Sequence, residues 1–236
     1  MNKAQSHDFC IIGTGEPIES ENLVEFRLLY RGELLPSANS KRRADEKHQI
    51  RQQLHPQLRR LWSVKEGLRT LAYRRGGLQQ EGVSFRVNYS KPSQAELDDA
   101  YNRGIAEIGK NWNSAGFDFV PLVTDEFALR CSLNILLLRP EEKKYIFTQG
   151  DIDGQLKTLF DAFRRPADIG EAGGSTPTDD ENPFFCLLQD DGLISEVHVV
   201  TDQLLLLPGE REAKANDAFV VIHVNINHVG GFGVFE

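Results

Sequence analysis

Two runs decide the fold class: Ala128-Leu129-Arg130-Cys131-Ser132-Leu133-Asn134-Ile135-Leu136-Leu137-Leu138, and Asp151-Ile152-Asp153-Gly154-Gln155-Leu156-Lys157-Thr158-Leu159-Phe160-Asp161-Ala162-Phe163. The first is long and largely apolar and reads as a central strand. In the second, Ile152, Leu156, Leu159, Phe160 and Phe163 recur at helical spacing, which predicts an amphipathic helix. Arg164-Arg165-Pro166 ends it, because proline cannot continue the hydrogen-bond ladder. Phe184–Leu188, Glu196–Leu207 and Ala218–Asn227 read as further strands. Strands on both sides of a helix give an α/β or α+β fold: a mixed β-sheet with flanking helices.

Upstream, Phe26–Tyr30 reads as a first strand, followed by a loop over 31–39. Ile50, Leu54, Leu58, Leu61 and Trp62 predict helix, while Pro56 predicts a kink or a division into two helices. Val83–Tyr89 alternates apolar with polar residues, as a half-buried strand does. Ser93 and Glu96 form the signature of a capping box, opening a helix that carries Leu97, Tyr101, Ile105 and Ile108 on one face and ends near Gly109. Residues 1–22 look ragged, and Gly13-Thr14-Gly15 lacks the further residues of a nucleotide-binding loop. Residues 164–182, rich in Gly, Ser, Thr, Pro and acids after the helix end, are expected to form a mobile acidic loop within a single domain spanning 1–236.

Composition narrows the class further. With 236 residues, 40% hydrophobic and 26% charged, the chain is long enough to bury a core and is neither disordered nor collagen-like. No apolar run approaches the roughly 20 residues of a membrane span. The first ten residues lack the apolar core of a signal peptide, so a cytoplasmic location is expected. Cys10, Cys131 and Cys186 make no CxxC pair, which supports neither a disulfide framework nor a zinc ribbon, and Cys131 and Cys186 are expected to be buried. His198, His223 and His228 show no ligand spacing.

The net charge of −8 speaks against a polyanion partner only until it is divided. Arg31 to Arg75 holds twelve Lys/Arg against four Asp/Glu, a local +8, which leaves −16 on the other 191 residues. Lys41, Arg42, Arg43, Arg59 and Arg60 in that stretch are candidates for contacts with a phosphate backbone; a solvated helix face is the plainer alternative.

The densest chemical signal is Asp151, Asp153 and Lys157, with Asp190 and Asp191 after the loop. The two acids at the helix start can point into one cleft, favoured by the positive helix terminus, and Lys157 follows Asp153 by one turn on the same side. If the strand ending at Leu188 runs alongside the helix, Asp190 or Asp191 arrives at the same place. Clustered carboxylates without His or Cys suit a hard cation such as Mg²⁺, and a neighbouring lysine can stabilise phosphoryl charge. The structural alternatives are an N-cap with a first-turn acid, a β-turn at Asp190-Asp191-Gly192, and an i,i+4 ion pair for Lys157.

The order of these residues resembles the RusA-type crossover-junction (Holliday junction) endodeoxyribonucleases. Asp151-x-Asp153-Gly154-x-x-Lys157-x-x-x-Asp161-Ala162 followed by Asp190-Asp191-Gly192-Leu193-Ile194 is similar to that family's motif, best over 128–228. Leu35-Pro36-Ser37-Ala38-Asn39 is similar to its P-S-x-N start. The resemblance implies a RusA-like fold, with 41–127 as an enlarged helical, basic insert. It further implies a dimeric, Mg²⁺- or Mn²⁺-dependent nuclease of branched DNA. Asp151, Asp153 and Asp191 would be metal ligands, with Asp190 the weaker candidate of its pair, and Lys157 the catalytic lysine. Two departures stand out: Gly154 replaces the usual Asn, and 164–182 is longer and more acidic than usual. A catalytically silent RusA-like module in a larger complex, or a nuclease acting on RNA or in phage defence, are the alternatives.

Overall fold

The computed structural model describes residues 24–36, 41–78, 92–140, 152–205, 214 and 216–229. Its centre is β4 (Leu129–Arg139), in which Leu129, Cys131, Leu133, Ile135 and Leu137 are buried while Arg130, Asn134 and Leu136 face out. That alternation is the strand periodicity of two, with one face turned to the core. On one side β4 pairs antiparallel with β7 (Asp217–His228), which pairs antiparallel with β1 (Val24–Glu33). On the other side it pairs in parallel with β6 (Ile194–Gln203), so the order is β1-β7-β4-β6.

A parallel neighbour requires a long crossover, and the chain between β4 and β6 supplies it. The crossover contains helix α4 (Ile152–Phe163) and then β5 (Phe184–Leu188), which belongs to a second sheet. That sheet has the order β2-β3-β5, from β2 (Asn113–Ser114) and β3 (Phe117–Val123), with β3 and β5 parallel. All five residues of β5 are buried, as a parallel strand covered on both faces requires. The class is therefore mixed α+β, as expected, although the strands divide between two sheets rather than one.

Helix α1 (Lys41–Val64) lies between the sheets and packs on β1, β5 and α4. Its Ile50, Leu54, Leu58, Leu61 and Trp62 are all buried, as their spacing predicts. Pro56 does not divide it. The proline is exposed, as is Gln52, whose carbonyl it leaves without a donor, so water can replace the lost bond. The division comes instead at Lys65, before α2 (Glu66–Arg75). Helix α3 (Gln94–Asn111) begins with the predicted capping box: Ser93 accepts from the Glu96 amide, and the Glu96 carboxylate accepts from the Ser93 amide.

The stretch 41–127 is not purely helical, because it also contributes β2 and β3. Pro121 inside Phe117–Val123, together with an unbroken run of buried residues, removes the alternation that would mark a strand. The expected strand Val83–Tyr89 lies outside the described residues, as do 1–22. The run expected as strand through Leu207 ends at Gln203, and Leu205 is 79% exposed. Cys131 and Cys186 are buried free thiols, and burial pushes both pKa values up to about 12. No helix among the described residues is long and apolar enough to cross a membrane.

Candidate functional site

Helix α4 carries the first half of the motif, and its position is fixed by buried polar side chains. Gln155 and Thr158 sit on its core-facing side. The Gln155 Nε2 donates to the carbonyl of Leu34 and the Thr158 hydroxyl to that of Leu35, each at 2.9 Å. Both acceptors follow directly on β1, at the start of the loop that resembles the P-S-x-N segment; Ser37 to Ser40 lie outside the described residues. From α1, the Glu46 carboxylate accepts the Leu35 amide at 2.6 Å and pairs with Arg43. Burial raises the Glu46 pKa above the usual carboxylate value in spite of these two donors. A hydrogen-bonded relay therefore joins α1, the segment after β1 and the first two turns of α4.

The C-terminal end of α4 is held by a buried cation. Arg51, 2% exposed, donates to the carbonyls of Asp161, Arg164 and Glu171 at 2.7, 3.2 and 3.1 Å. A guanidinium suits this place, because the last carbonyls of a helix lack intrahelical donors and carry partial negative charge. Burial, then the nearby charge of Arg164, lower the Arg51 pKa to about 10, which leaves it charged at neutral pH. Lys47, one turn earlier on α1, pairs with the Asp161 carboxylate.

Asp153 and Lys157 stand one turn apart on α4, and both are exposed. Asp151 lies outside the described residues. Asp190 precedes and Asp191 opens a short 3-10 turn, Asp191–Leu193, that rests against both α4 and β4. Asp190 caps this turn, its carboxylate accepting the Gly192 amide at 2.9 Å, which is the turn role expected of an Asp-Asp-Gly sequence. Asp191 is exposed and caps nothing. Its charge acts on Arg164: burial opposes that guanidinium, but bonds to Glu171 and the charges of Glu171, Asp161 and Asp191 raise its pKa. The structure thus brings the Asp191 turn against the helix that bears Asp153 and Lys157. Among the described residues, no group of three or more His, Cys, Asp or Glu is placed to hold a metal ion.

The segment 164–182, expected to be a mobile loop, is fastened to α4 and α1. Arg164 grips Glu171 through two 3.0 Å bonds, Gln52 donates to Glu181 at 2.7 Å, and Ala172 is completely buried. His55 fixes the far end: its Nδ1 accepts from the Phe185 amide at 2.8 Å, so its Nε2 donates to the Asp180 carbonyl at 3.0 Å. Pairing with Arg164 neutralises Glu171, and Asp179 and Asp180 remain exposed.

The basic stretch is divided between two roles. Arg51 and Lys47 are structural, and Arg43 is tied to Glu46. Arg42 is exposed, 3.5 Å from Glu33. Arg59 and Arg60 are exposed on α1 and enter no ion pair among the described residues. Lys41 opens α1. The positioning residues Gln155, Thr158, Glu46 and Arg51 carry no sequence signal beyond a polar residue at a core-facing helical position. Compared with known proteins, the chain matches no family model and no curated protein.

Proposed function

We propose that the chain is a metal-dependent endonuclease hydrolysing phosphodiester bonds in DNA, with branched or junction forms as substrates. The observation that carries this reading is the exposed Asp153–Lys157 pair on α4, with the Asp191 turn resting against the same helix. Neither Asp153 nor Asp191 enters an ion pair with another described residue. Carboxylate-only donors suit a hard divalent ion, so the residues present fit Mg²⁺ or Mn²⁺. Asp153 and Asp191, with Asp151, would hold it; Asp190 is the lesser candidate, since its carboxylate already caps a turn.

When bound, such an ion supplies an activated water and offsets charge on the phosphate oxygens. The protein's own part is positional and electrostatic. The Gln155 and Thr158 bonds fix the first turns of α4, which orients Asp153. Lys157 places a cation where the phosphoryl group accumulates negative charge in the transition state. Arg59, Arg60 and Arg42 hold backbone phosphates, contacts that fix position and carry no base information of their own. A two-fold dimer would match a two-fold symmetric junction, and sedimentation at twice the chain mass is its signature.

The test is a cleavage panel of junction, flap and linear duplex DNA with Mg²⁺ or Mn²⁺, comparing wild type with Asp153→Asn. Cleavage of the branched forms by wild type alone supports the proposal. Intact substrates throughout, or equal cutting by both proteins, reject it. The specific observation favouring a catalytically silent module is Gly154 in the first turn of α4, where the family pattern has Asn. Titration calorimetry with Mg²⁺ separates the two readings, because only the enzyme requires a saturable ion site.

A further inference from the structure

A cleft of about 460 Å³ opens between α1, α3 and the Asp179–Pro183 segment, lined among others by Arg59, Arg60, Tyr101, Asp179, Asp180 and Pro183. Its volume lies within the range that encloses small ligands. The walls are chemically unlike. Arg59 and Arg60, both exposed, line the cleft from α1, and Asp179 and Asp180, both exposed, line it from the Asp179–Pro183 segment. Tyr101 is half-buried, its ring edge-on to Tyr73 at 6.3 Å, and the Arg59 charge acts on its hydroxyl.

This wall of acids is built rather than incidental. The Asp180 carbonyl is held by His55, the neighbouring Glu181 by Gln52, and the Asn182 side chain by the Asp118 amide. A ligand complementary to the cleft carries an anion at one end and hydrogen-bond donors at the other, with a flat apolar body between. A nucleotide with an exocyclic amino group has that pattern. Guanidiniums match phosphate oxygens, an aromatic face accepts a stacked base, and carboxylates accept from an amino group such as N4 of cytosine.

We infer that this cleft binds one unpaired nucleotide of a DNA strand, its phosphate on Arg59 and Arg60, its base against Tyr101 and its amino group toward Asp179–Asp180. The inference rests on the nucleic-acid reading above and deepens it, since flaps and frayed junction arms present unpaired nucleotides. It assigns the acids of 164–182 a role in base choice rather than in repelling DNA.

The test uses the full chain in EDTA, so that cleavage plays no part, with fluorescein-labelled oligo(dC) and oligo(dT) of ten nucleotides read by anisotropy. Wild type is expected to bind oligo(dC) more tightly than oligo(dT), because thymine offers no amino group. Arg59→Gln/Arg60→Gln should weaken oligo(dC) binding at least about ten-fold and flatten the salt dependence by about 0.7 in log K per log salt, the contribution of one neutralised phosphate on a single strand. Tyr101→Leu should weaken both probes by about five-fold or more through lost stacking. Asp179→Ala/Asp180→Ala, which leaves no side-chain acceptor, should abolish the preference for dC, and its unchanged thermal midpoint shows that the fold persists. Equal binding of dC and dT by wild type, or an unaltered salt slope in the arginine variant, overturns the inference. Loss of binding in EDTA with cleavage of fully paired junctions retained would reject the cleft alone. Strong binding with no cleavage would reject the nuclease reading and leave the cleft standing.

Discussion

Lys47 Nζ lies 2.5 Å from the Asp161 carboxylate, joining α1 to α4 with both side chains no more than 15% exposed. Asp161 belongs to the motif that bears Asp153 and Lys157, yet its partners are structural: Lys47, and Arg164 at 3.8 Å. Asp161→Ala strands one ammonium in a poorly hydrated place and removes a partner of Arg164. Breaking such a largely buried pair is expected to cost about 2 kcal/mol or more. Urea denaturation should show a lower midpoint with unchanged slope. Metal-dependent DNA cleavage per folded molecule should change little, which separates Asp161 from Asp153.

A second prediction concerns the meeting of α2 and α3. Gly104 packs against the Ala72 carbonyl and Gly76 against the Ala100 carbonyl, so the two backbones are in contact through glycines. A β-carbon at Gly104 would overlap the Ala72 oxygen and lie 2.9 Å from the Gly76 amide nitrogen. Backbone atoms cannot step aside as a flexible side chain does. Gly104→Ala should therefore cost about 3 kcal/mol, at the upper end of overpacking, even though alanine is the better helix former. An unchanged or raised thermal midpoint would refute this crossing.

His48 gives the fold a pH dependence of definite sign. It is 4% exposed against the rings of Phe117 and Phe184, and neither ring nitrogen has a hydrogen-bond partner among the described residues. Burial, and after it the Arg51 charge, lower its pKa from the usual 6.5, while Glu181 and Asp45 oppose this. Burial lowers the His55 pKa as well. The unfolded chain thus takes up protons first, and the contribution to stability is complete above 6.5 and is lost as the pH falls below it. Each such histidine adds a slope of at most about 1.4 kcal/mol per pH unit. His48→Leu should reduce the slope between pH 6.5 and 5 and leave stability at pH 7.5 equal or higher, because it removes a buried group with unmet hydrogen bonds. Denaturation midpoints at several pH values measure both effects.

The elements legible in the sequence are those whose burial is one-sided. β4 alternates, and α4 and the core residues of α1 repeat at helical spacing; Ser93 and Glu96 announce the α3 cap by local chemistry alone. β3 is illegible because burial on both faces erases alternation and Pro121 counts against a strand. Pro56 leaves a kinked helix and two helices equally open in the sequence, which does not show that this proline faces solvent and that α1 runs on to Val64. At the candidate site, Asp153, Lys157 and Asp191 are recognisable from order and spacing. The residues that position them are not, because Gln155, Thr158 and Arg51 act on the carbonyls of Leu34, Leu35, Asp161, Arg164 and Glu171. All five bonds span between 110 and 123 residues along the chain, and a backbone acceptor leaves no trace in residue type.

Asp153 and Lys157 differ in the work the proposed chemistry assigns them, and the difference is measurable. Both are exposed on α4, so neither substitution touches the core. Lys157→Met should leave stability within about 0.5 kcal/mol of wild type. Asp153→Asn loses only the favourable charge at the helix start, about 0.3–1 kcal/mol. Asp153→Asn should abolish the saturable heat of Mg²⁺ binding and, with it, cleavage. Lys157→Met should retain that heat, because it removes a cation and no ligand, yet lower kcat by about 10²-fold, the effect of deleting one stabilising donor to transition-state charge. The substrate KM should be nearly unchanged, since an interaction formed in the transition state appears in kcat. If Lys157→Met raises KM and spares kcat, the lysine holds DNA in the ground state and is not the catalytic cation.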